Sequence, residues 1–307
     1  MELLLALAGL GGLAFLLQQK PLPNKDDAAK ARIALGKNID DPDANTTVGK
    51  YEAFVLGNYQ EAMPFLAKSG DKTLKTLAEH ELDPDYTKTA TQKVGMADEW
   101  VTATKKFPAL NRIFIDRAGQ WYISAWPDLD DLWKGKAREQ AAKLATSRPM
   151  GVSRKGVPKK WSISNIAAPN PPSIDGLVAR TGSHSIKIPS ADPKISTSDN
   201  GIQSDPIPLT GQEVQYSAYV RTDKTEGKTD QVYVSFFDGT GGLLQISAQN
   251  IPADMPFWNR VGGTVKVPAN TTSMRFGTAI RSKNGTAWID DVSVLVDGKE
   301  ILNQSFE

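Results

Sequence analysis

The sequence lacks cysteine entirely and contains only two histidines, His80 and His184, in 307 residues. The absence of cysteine excludes disulfides, thiolate zinc sites, iron–sulfur clusters and cysteine nucleophiles. His80 lies in an A-E-H-E-L stretch that lacks the second histidine of an H-E-x-x-H zinc motif. His184 lies in a turn-like T-G-S-H-S stretch, and neither histidine predicts a catalytic site.

Positive charge is not in excess either, because 36 lysines and arginines are balanced by 35 acidic residues. A general nucleic-acid-binding protein needs a basic excess, so that class is not expected. The G-x-S-x-G and G-x-x-x-x-G-K-[ST] motifs do not occur. The glycine-rich residues 239–242 lead into a predicted strand, which favours a hairpin loop over a phosphate site. These absences predict a protein that is not an enzyme.

The N-terminal segment, residues 1–23, contains an apolar run from Leu3 to Leu17. This run is shorter than the about 20 residues that span a bilayer, and its length is typical of a secretory signal. Glu2 and the absence of an A-x-A cleavage site depart from the usual signal pattern. We predict an export signal or membrane anchor, and therefore a periplasmic, cell-surface or extracellular protein that contacts membrane only through this segment. The alternative is a buried N-terminal helix.

Residues 24–147 have apolar side chains at three- and four-residue spacing, which predicts an all-α domain of helical hairpins. Asp-Pro-Asp and Ser-Gly-Asp sequences mark several helix starts. Dense aromatic residues in its second half are expected to form the helix–helix core, with a peptide-docking groove as the alternative. The predicted helices are 26–37, 43–56, 59–68, 71–81, 85–106, 109–126 and 129–146.

A part of this domain, from Val48 through Ala62, resembles a tetratricopeptide hairpin, in which a small residue lets two helices approach. About 120 residues also resemble a helical module of large exported proteins in planctomycete-type bacteria. The residues that carry this second resemblance are Gly57-Asn58-Tyr59, 65–71, 74–78 and 117–122. The resemblance implies a module without catalytic residues that docks a protein partner.

After Arg148 the sequence pattern changes. Residues 148–160 are rich in lysine, arginine, glycine and proline and contain no acid, which predicts a basic linker. In residues 161–307 apolar residues alternate along several short segments separated by turn sequences, which predicts a β-sandwich. The alternating sets are Val214-Tyr216-Ala218-Val220, Val232-Val234-Phe236 and Met274-Phe276-Thr278-Ile280.

The order of motifs in this half resembles the jelly-roll carbohydrate-binding modules of the galactose-binding-like group. The motifs are Ser185–Ile188, Tyr216–Arg221, Trp258–Val261, Thr264–Pro268, Gly285–Val294 and Leu302–Glu307. In that group an N-x-S-F-E strand usually opens the domain, whereas here Asn303–Glu307 closes it. We interpret this as a permuted boundary; a truncated reading frame is the alternative.

The predicted outward sides of the strands carry aromatic rings beside hydrogen-bonding groups, the chemistry that binds sugars. They read Gln215-Ser217-Tyr219-Arg221, Tyr233-Ser235-Phe237 and Arg275-Gly277-Ala279-Arg281. We predict a carbohydrate site in which Tyr219, Tyr233 and Phe237 stack on the ligand and Arg221 and Arg275 donate hydrogen bonds. The alternative is an outer face that is wet or packed against protein.

The same resemblance implies a structural calcium ion held by Asp290 or Asp291 with Glu307 and backbone carbonyls. Strict alternation along the strand would place Asp290 and Asp291 on opposite faces. An ordinary strand-end acidic pair is the alternative to a calcium site.

Together these features predict an exported, non-catalytic binding protein whose jelly roll binds carbohydrate and whose helical domain docks protein. The alternative is a structural or assembly component of the cell envelope or of an extracellular complex. In that case both domains make protein contacts and no sugar is bound.

Overall fold

The structure is a computed structural model, and it describes residues 21–146, 152–164, 170–190, 199–226 and 229–306. The predicted signal segment, apart from residues 21–23, and Glu307 lie outside these residues. The chain divides into two compact units, Met1–Trp133 and Lys134–Glu307. Within the described residues, no helix is both long and apolar enough to cross a bilayer.

The first unit is helical, as the sequence predicts. Several of its helices begin at a side chain that accepts hydrogen bonds from first-turn N–H groups, and these capping residues include Asn24, Asp41, Asp71 and Thr89. The α-helices, up to the one that continues into the second unit, are α1 (Lys25–Lys37), α2 (Pro42–Lys50), α3 (Tyr59–Leu66), α4 (Lys72–Leu82), α5 (Ala90–Ala103), α6 (Asn111–Ala125) and α7 (Asp131–Thr146). A π-helical turn, Tyr51–Val55, extends α2.

The structure differs from the predicted helices at one helix start and contains a close helix approach at one glycine. The expected start near Asp85 is wrong, because Asp83 accepts from the Asp85 N–H in a turn and the helix begins at Ala90, capped by Thr89. The small residue Gly49 does permit a close approach, since a Cβ there would lie 2.5 Å from Leu66 Cδ2. The tetratricopeptide-like assignment itself stays a prediction.

The buried carboxylate of Glu81 joins three helices of this unit. It accepts hydrogen bonds from Trp100 Nε1 at 2.6 Å and Trp121 Nε1 at 2.7 Å. Arg117 donates to it through Nε at 2.9 Å and through a second guanidinium nitrogen. The Arg117 guanidinium also stacks 4.3 Å from the ring centroid of Tyr59. The predicted aromatic core therefore contains an ion pair that tryptophan N–H groups satisfy.

The second unit is a sandwich of two antiparallel sheets. The strands are β1 (Arg154–Lys155), β2 (Trp161–Ile163), β3 (Ser173–Asp175), β4 (Ser185–Pro189), β5 (Ile202–Ser204), β6 (Ile207–Pro208), β7 (Glu213–Asp223), β8 (Gln231–Phe237), β9 (Leu243–Asn250), β10 (Asn259–Lys266), β11 (Ser273–Ala279), β12 (Thr286–Val296) and β13 (Lys299–Gln304). In the described residues, the seven-stranded sheet has the order β1-β3-β4-β12-β7-β10, with β13 also on β12. The six-stranded sheet has the order β2-β5-β11-β8-β9, with β6 also on β11.

The alternating residues predicted to point inward do form the sandwich core. Val214, Val232, Val234, Phe236 and Phe276 are all buried in one cluster between the sheets. The β-sandwich prediction is therefore confirmed, with alternate residues on each strand left for the outer faces.

The edges of the predicted domains differ from the structure at two places. Arg154 and Lys155, in the predicted basic linker, form β1 and pair with β3. Arg138, in the predicted helical domain, pairs with Asp254 and belongs to the second compact unit. At the other end of the chain, Phe306 is fully buried and its ring centroid lies 5.3 Å from that of Trp161.

We expect Glu81→Ala to lower the free energy of unfolding of the helical unit by on the order of 3 kcal/mol. The substitution leaves Arg117 and two indole N–H groups without their shared acceptor. Denaturant unfolding of the intact chain, followed by tryptophan fluorescence, measures this loss. Glu79→Ala on the same helix is the control, since the Glu79 side chain is 51% exposed and pairs with Lys75 at the surface, at 3.8 Å. Equal effects of the two substitutions would contradict the prediction.

Candidate functional site

The structure separates the five predicted ligand residues onto two sheets. Tyr219 and Arg221 lie on β7 of the seven-stranded sheet, whereas Tyr233 and Phe237 lie on β8 of the six-stranded sheet. Arg275 lies on β11, the strand beside β8. The prediction of one surface containing all five is wrong, because β7 and β8 follow each other in sequence but belong to opposite layers.

Tyr233 lies across the outer side of the six-stranded sheet. It pairs in register with Gly277 on β11, which in turn pairs with Gln203 on β5. A Cβ at Gly277 would lie 2.5 Å from Cζ of Tyr233, so the ring covers the space above this glycine. Gln203 Nε2 donates to the Tyr233 hydroxyl at 2.6 Å. The side chain therefore starts on β8, crosses β11 and reaches β5, which makes its ring a platform along the sheet.

We call this surface the platform face and define it by Gln203, Tyr233, Ser235, Phe237, Arg275 and Gly277. Sequence alternation places all of them except Gln203 on an outward side, but it does not reveal that Tyr233 lies on Gly277. Gln203 carries no sequence signal, because β5 has only three residues and shows little alternation. Its contact with the Tyr233 hydroxyl becomes visible only once β5 is placed beside β11 in the sheet.

The platform phenol is neutral and hydrogen-bonded. Burial raises the pKa of Tyr233 above the ordinary tyrosine value, while the hydrogen bond from Gln203 and the charges of Arg281 and Arg275 oppose that shift. Because the hydroxyl accepts from Gln203, its own proton remains available to a second acceptor. The ring thus presents an apolar surface with a donor at its edge.

Arg275 and Ser235 lie opposite each other beside this platform. Ser235 is 3% exposed, and its Oγ has no hydrogen-bond partner within the described part of the chain. No ion pair involving Arg275 occurs there either, in contrast to Arg281, which binds Asp199 with distances of 2.8 and 2.7 Å. Phe237 continues the face and pairs with exposed Leu243 on β9.

The opposite sheet presents its aromatic rings differently. The guanidinium carbon of Arg180 lies 3.4 Å from the ring centroid of Tyr219. Trp288 lies between Arg221 at 5.6 Å and Lys187 at 5.9 Å, and its Nε1 donates to Asp175 at 2.7 Å. These rings already contact cations of the chain itself, so Tyr219 and Arg221 fit a sugar site less well than Tyr233 does.

Asp290 and Asp291 reach the same corner of the sandwich, contrary to the alternation prediction. Asp290 pairs with Tyr219 and Ser293 with Ser217, so β12 holds one extra residue in this stretch. Asp291 has a φ of 46°, which is consistent with a β-bulge. Because of the bulge, both carboxylates face residues Arg180 and Thr181.

The donors at this corner do not fit a calcium ion. Asp290 is fully buried and accepts from the backbone N–H groups of Arg180 at 2.8 Å, Thr181 at 3.1 Å and Asp291 at 2.8 Å. Asp291 binds the Arg180 guanidinium and the Thr181 hydroxyl. Burial and then the charge of Asp291 raise the pKa of Asp290 to about 7. Calcium prefers six to eight oxygen ligands, whereas these carboxylates contact hydrogen-bond donors and a cation.

The third expected ligand, Glu307, lies outside the described residues. Within those residues no group of three or more aspartate, glutamate or histidine side chains is arranged to hold a metal ion. The arrangement therefore offers an internal guanidinium as the counter-charge to Asp291.

Comparison with known proteins gives partial structural matches only. No protein-family model and no curated protein matches the chain. The enzymatically active domain of tailspike protein 4 from bacteriophage CBA120 has a TM-score of 0.37 and 16% identity over 47% of this chain and 20% of that one. The CBM22-1–GH10 modules of Clostridium thermocellum xylanase 10B have a TM-score of 0.36 and 17% identity over 45% of this chain and 26% of that one.

A third similar structure, which is a single domain, is the CBM22-1 xylan-binding domain of Paenibacillus barcinonensis Xyn10C. Its TM-score is 0.32 and its identity 14%, over 47% of this chain and 92% of that domain. Carbohydrate-binding modules of families 16 and 61 are also similar to about half of the chain. This chain spans only about a fifth and a quarter of the tailspike and xylanase structures. All these TM-scores are below 0.5, and the similarities are therefore reported without an inference about function.

We expect Gly277→Ala to displace the Tyr233 ring and to lower its phenol pKa toward the ordinary value, because the ring moves into water. The effect on stability should be small, since the new methyl group meets the end of a side chain. A pH titration of ¹³C-labelled tyrosine ring signals, assigned with Tyr233→Phe, measures the shift. Gly239→Ala is the control, since its Cβ would lie 3.7 Å from the nearest atom, Thr272 Cγ2. An unchanged titration in Gly277→Ala would contradict the platform geometry.

We expect the melting temperature of the intact protein to be the same in excess calcium and in excess EDTA, because Arg180 supplies the cation at the acidic corner.

We expect Arg180→Ala to lower the unfolding free energy of the second unit by on the order of 3 kcal/mol, since it leaves the Asp291 carboxylate without its cation. Exposed Arg154 on β1 provides the control substitution to alanine. Thermal unfolding measures the calcium and EDTA samples and both arginine variants. A clear rise in melting temperature with calcium would show that a metal site exists, and equal losses in Arg180→Ala and Arg154→Ala would contradict the role of Arg180.

Proposed function

We propose that this protein is an exported, non-catalytic binding protein that holds carbohydrate on the platform face. The observation that carries the proposal is the Tyr233 ring lying across Gly277 on the outer side of the six-stranded sheet. An aromatic ring lying along a surface can cover the apolar C–H face of a pyranose. Tyr219 and Arg221 are not part of the proposed site, because they lie on the other sheet.

The polar groups around the ring suit sugar hydroxyls. Gln203 and the Tyr233 hydroxyl form one edge, and Arg275 with Ser235 forms another. Such a combination of an apolar surface with a few fixed donors and acceptors is typical of small-molecule sites. The side chains come from adjacent strands of one sheet, which fixes their spacing before any ligand binds.

Protein docking by the helical unit and export by residues 1–23 belong to the same proposal. The sequence pattern supports them, and a proteomic search for partners of the intact chain would test the first. Detection of the mature N-terminus in the culture medium or periplasm would test the second.

A structural role without sugar binding is the second candidate, and one observation favours it. β9 is an end strand of its sheet and carries three exposed apolar side chains, Leu243, Leu244 and Ile246. Exposed apolar residues on an end strand are typical of a contact with another protein. In that case substitution of Leu243 and Ile246, rather than Tyr233, would remove the binding partner.

Glycan-array binding by the intact protein tests the proposal. We expect Tyr233→Ala to weaken retention roughly tenfold or more, because it removes the stacking surface, while Tyr233→Phe keeps most of it. Tyr219→Ala is the matched control, since it removes the same side chain from the opposite sheet. No binding by a folded protein, or equal loss in Tyr219→Ala and Tyr233→Ala, would overturn the proposal.

A further inference from the structure

The charge distribution of the platform face is uneven. Its defining residues include one cation, Arg275, and no acidic side chain. The acidic residues at its borders have other roles: Asp199 binds Arg281, and Asp238 accepts from Thr240 and Gly242 in its own turn. Asp205 is exposed after β5 and forms no ion pair within the described residues.

Arg275 also has a defined position relative to the platform. It lies two residues before Gly277 on the same side of β11, which places it about 7 Å along the strand from the point where the Tyr233 ring crosses. On its other side β11 passes from pairing with β5 to pairing with β6, so no strand residue there pairs with Arg275. A substituent on a sugar stacked on Tyr233 would therefore reach the guanidinium.

Ser235 provides a second, independent sign of a ligand at this point. Its Oγ is buried beside Arg275 without a hydrogen-bond partner in the described residues, although a buried hydroxyl normally has one. A hydroxyl and a guanidinium on neighbouring strands are together suited to an oxyanion, because both donate hydrogen bonds and the guanidinium adds charge.

We infer that the glycan bound on the platform face is acidic, with a carboxylate or sulfate on the sugar that binds Arg275 and Ser235 while the ring stacks on Tyr233. A uronate carboxylate suits the site best, because a planar carboxylate accepts two parallel hydrogen bonds from a guanidinium. This inference rests on the proposed carbohydrate function and adds the class of sugar.

The experiment compares three polymers on the intact protein: polygalacturonate, the neutral polymer made by reducing its carboxyl groups, and a sulfated galactan. We expect retention of polygalacturonate that falls as salt rises and is lost after carboxyl reduction. Arg275→Gln should weaken it roughly tenfold, and Arg275→Lys less, because lysine keeps the charge but not the planar pair of donors.

Arg260→Gln is the matched control, since Arg260 is an exposed arginine on the opposite sheet. Preference for the sulfated galactan would keep the acidic class and reject the carboxylate. Equal or better retention of the neutral polymer, lost in Tyr233→Ala, would overturn this inference and leave the carbohydrate function standing. A folded protein that retains none of the three polymers, nor any sugar on the array, would overturn both.

Discussion

The candidate site depends on one steric constraint, the absence of a side chain at Gly277. Any larger residue there would place a Cβ where Cζ, Cε2 and the hydroxyl of Tyr233 now lie. Because glycine has no side chain to fill that space, the Tyr233 ring on β8 can extend over β11, and its hydroxyl accepts a hydrogen bond from Gln203 on β5. Gly277 thus lets the outward Tyr233 side chain lie across the neighbouring strand, so that residues of three strands form one surface.

Both units also contain buried carboxylates that the chain itself satisfies. Glu81 accepts from two indole N–H groups and an arginine. Asp290 accepts from three backbone N–H groups and lies beside the ion pair of Asp291 with Arg180. Burying a charge is costly unless a partner and hydrogen bonds compensate for it. These groups are therefore best explained as connections between elements, since their oxygens already have partners.

Local sequence patterns predicted the elements better than their assembly. Alternation identified the inward residues of β7, β8 and β11, and acidic capping residues identified the starts of α2 and α4. Alternation gives the side of a strand on which a residue lies, but it does not tell which sheet contains the strand. For this reason Tyr219 and Tyr233 were predicted on one surface although the sandwich core separates them.

The bulge in β12 is a second feature that the alternation of apolar residues does not predict. A period of two puts Asp290 and Asp291 on opposite faces, and one extra residue is enough to bring both to Arg180. The pattern contains no signal for this insertion, because a bulge depends on the pairing partner as well as on its own strand. In the described residues, the Arg180 guanidinium and hydrogen-bond donors lie against these two carboxylates, and the calcium site itself stays a prediction.

The two outer faces of the sandwich differ in how many contacts their aromatic rings and arginines already make within the chain. On the seven-stranded sheet, arginines and a lysine of the chain lie against Tyr219 and Trp288, so binding there would have to displace internal cation–π contacts. On the six-stranded sheet, Tyr233 lies against a glycine and a glutamine, and Arg275 has no ion-pair partner in the described residues. A ligand gains most where it supplies contacts that the folded chain does not make itself. This difference favours Tyr233, Ser235 and Arg275 over Tyr219 in the proposed carbohydrate site.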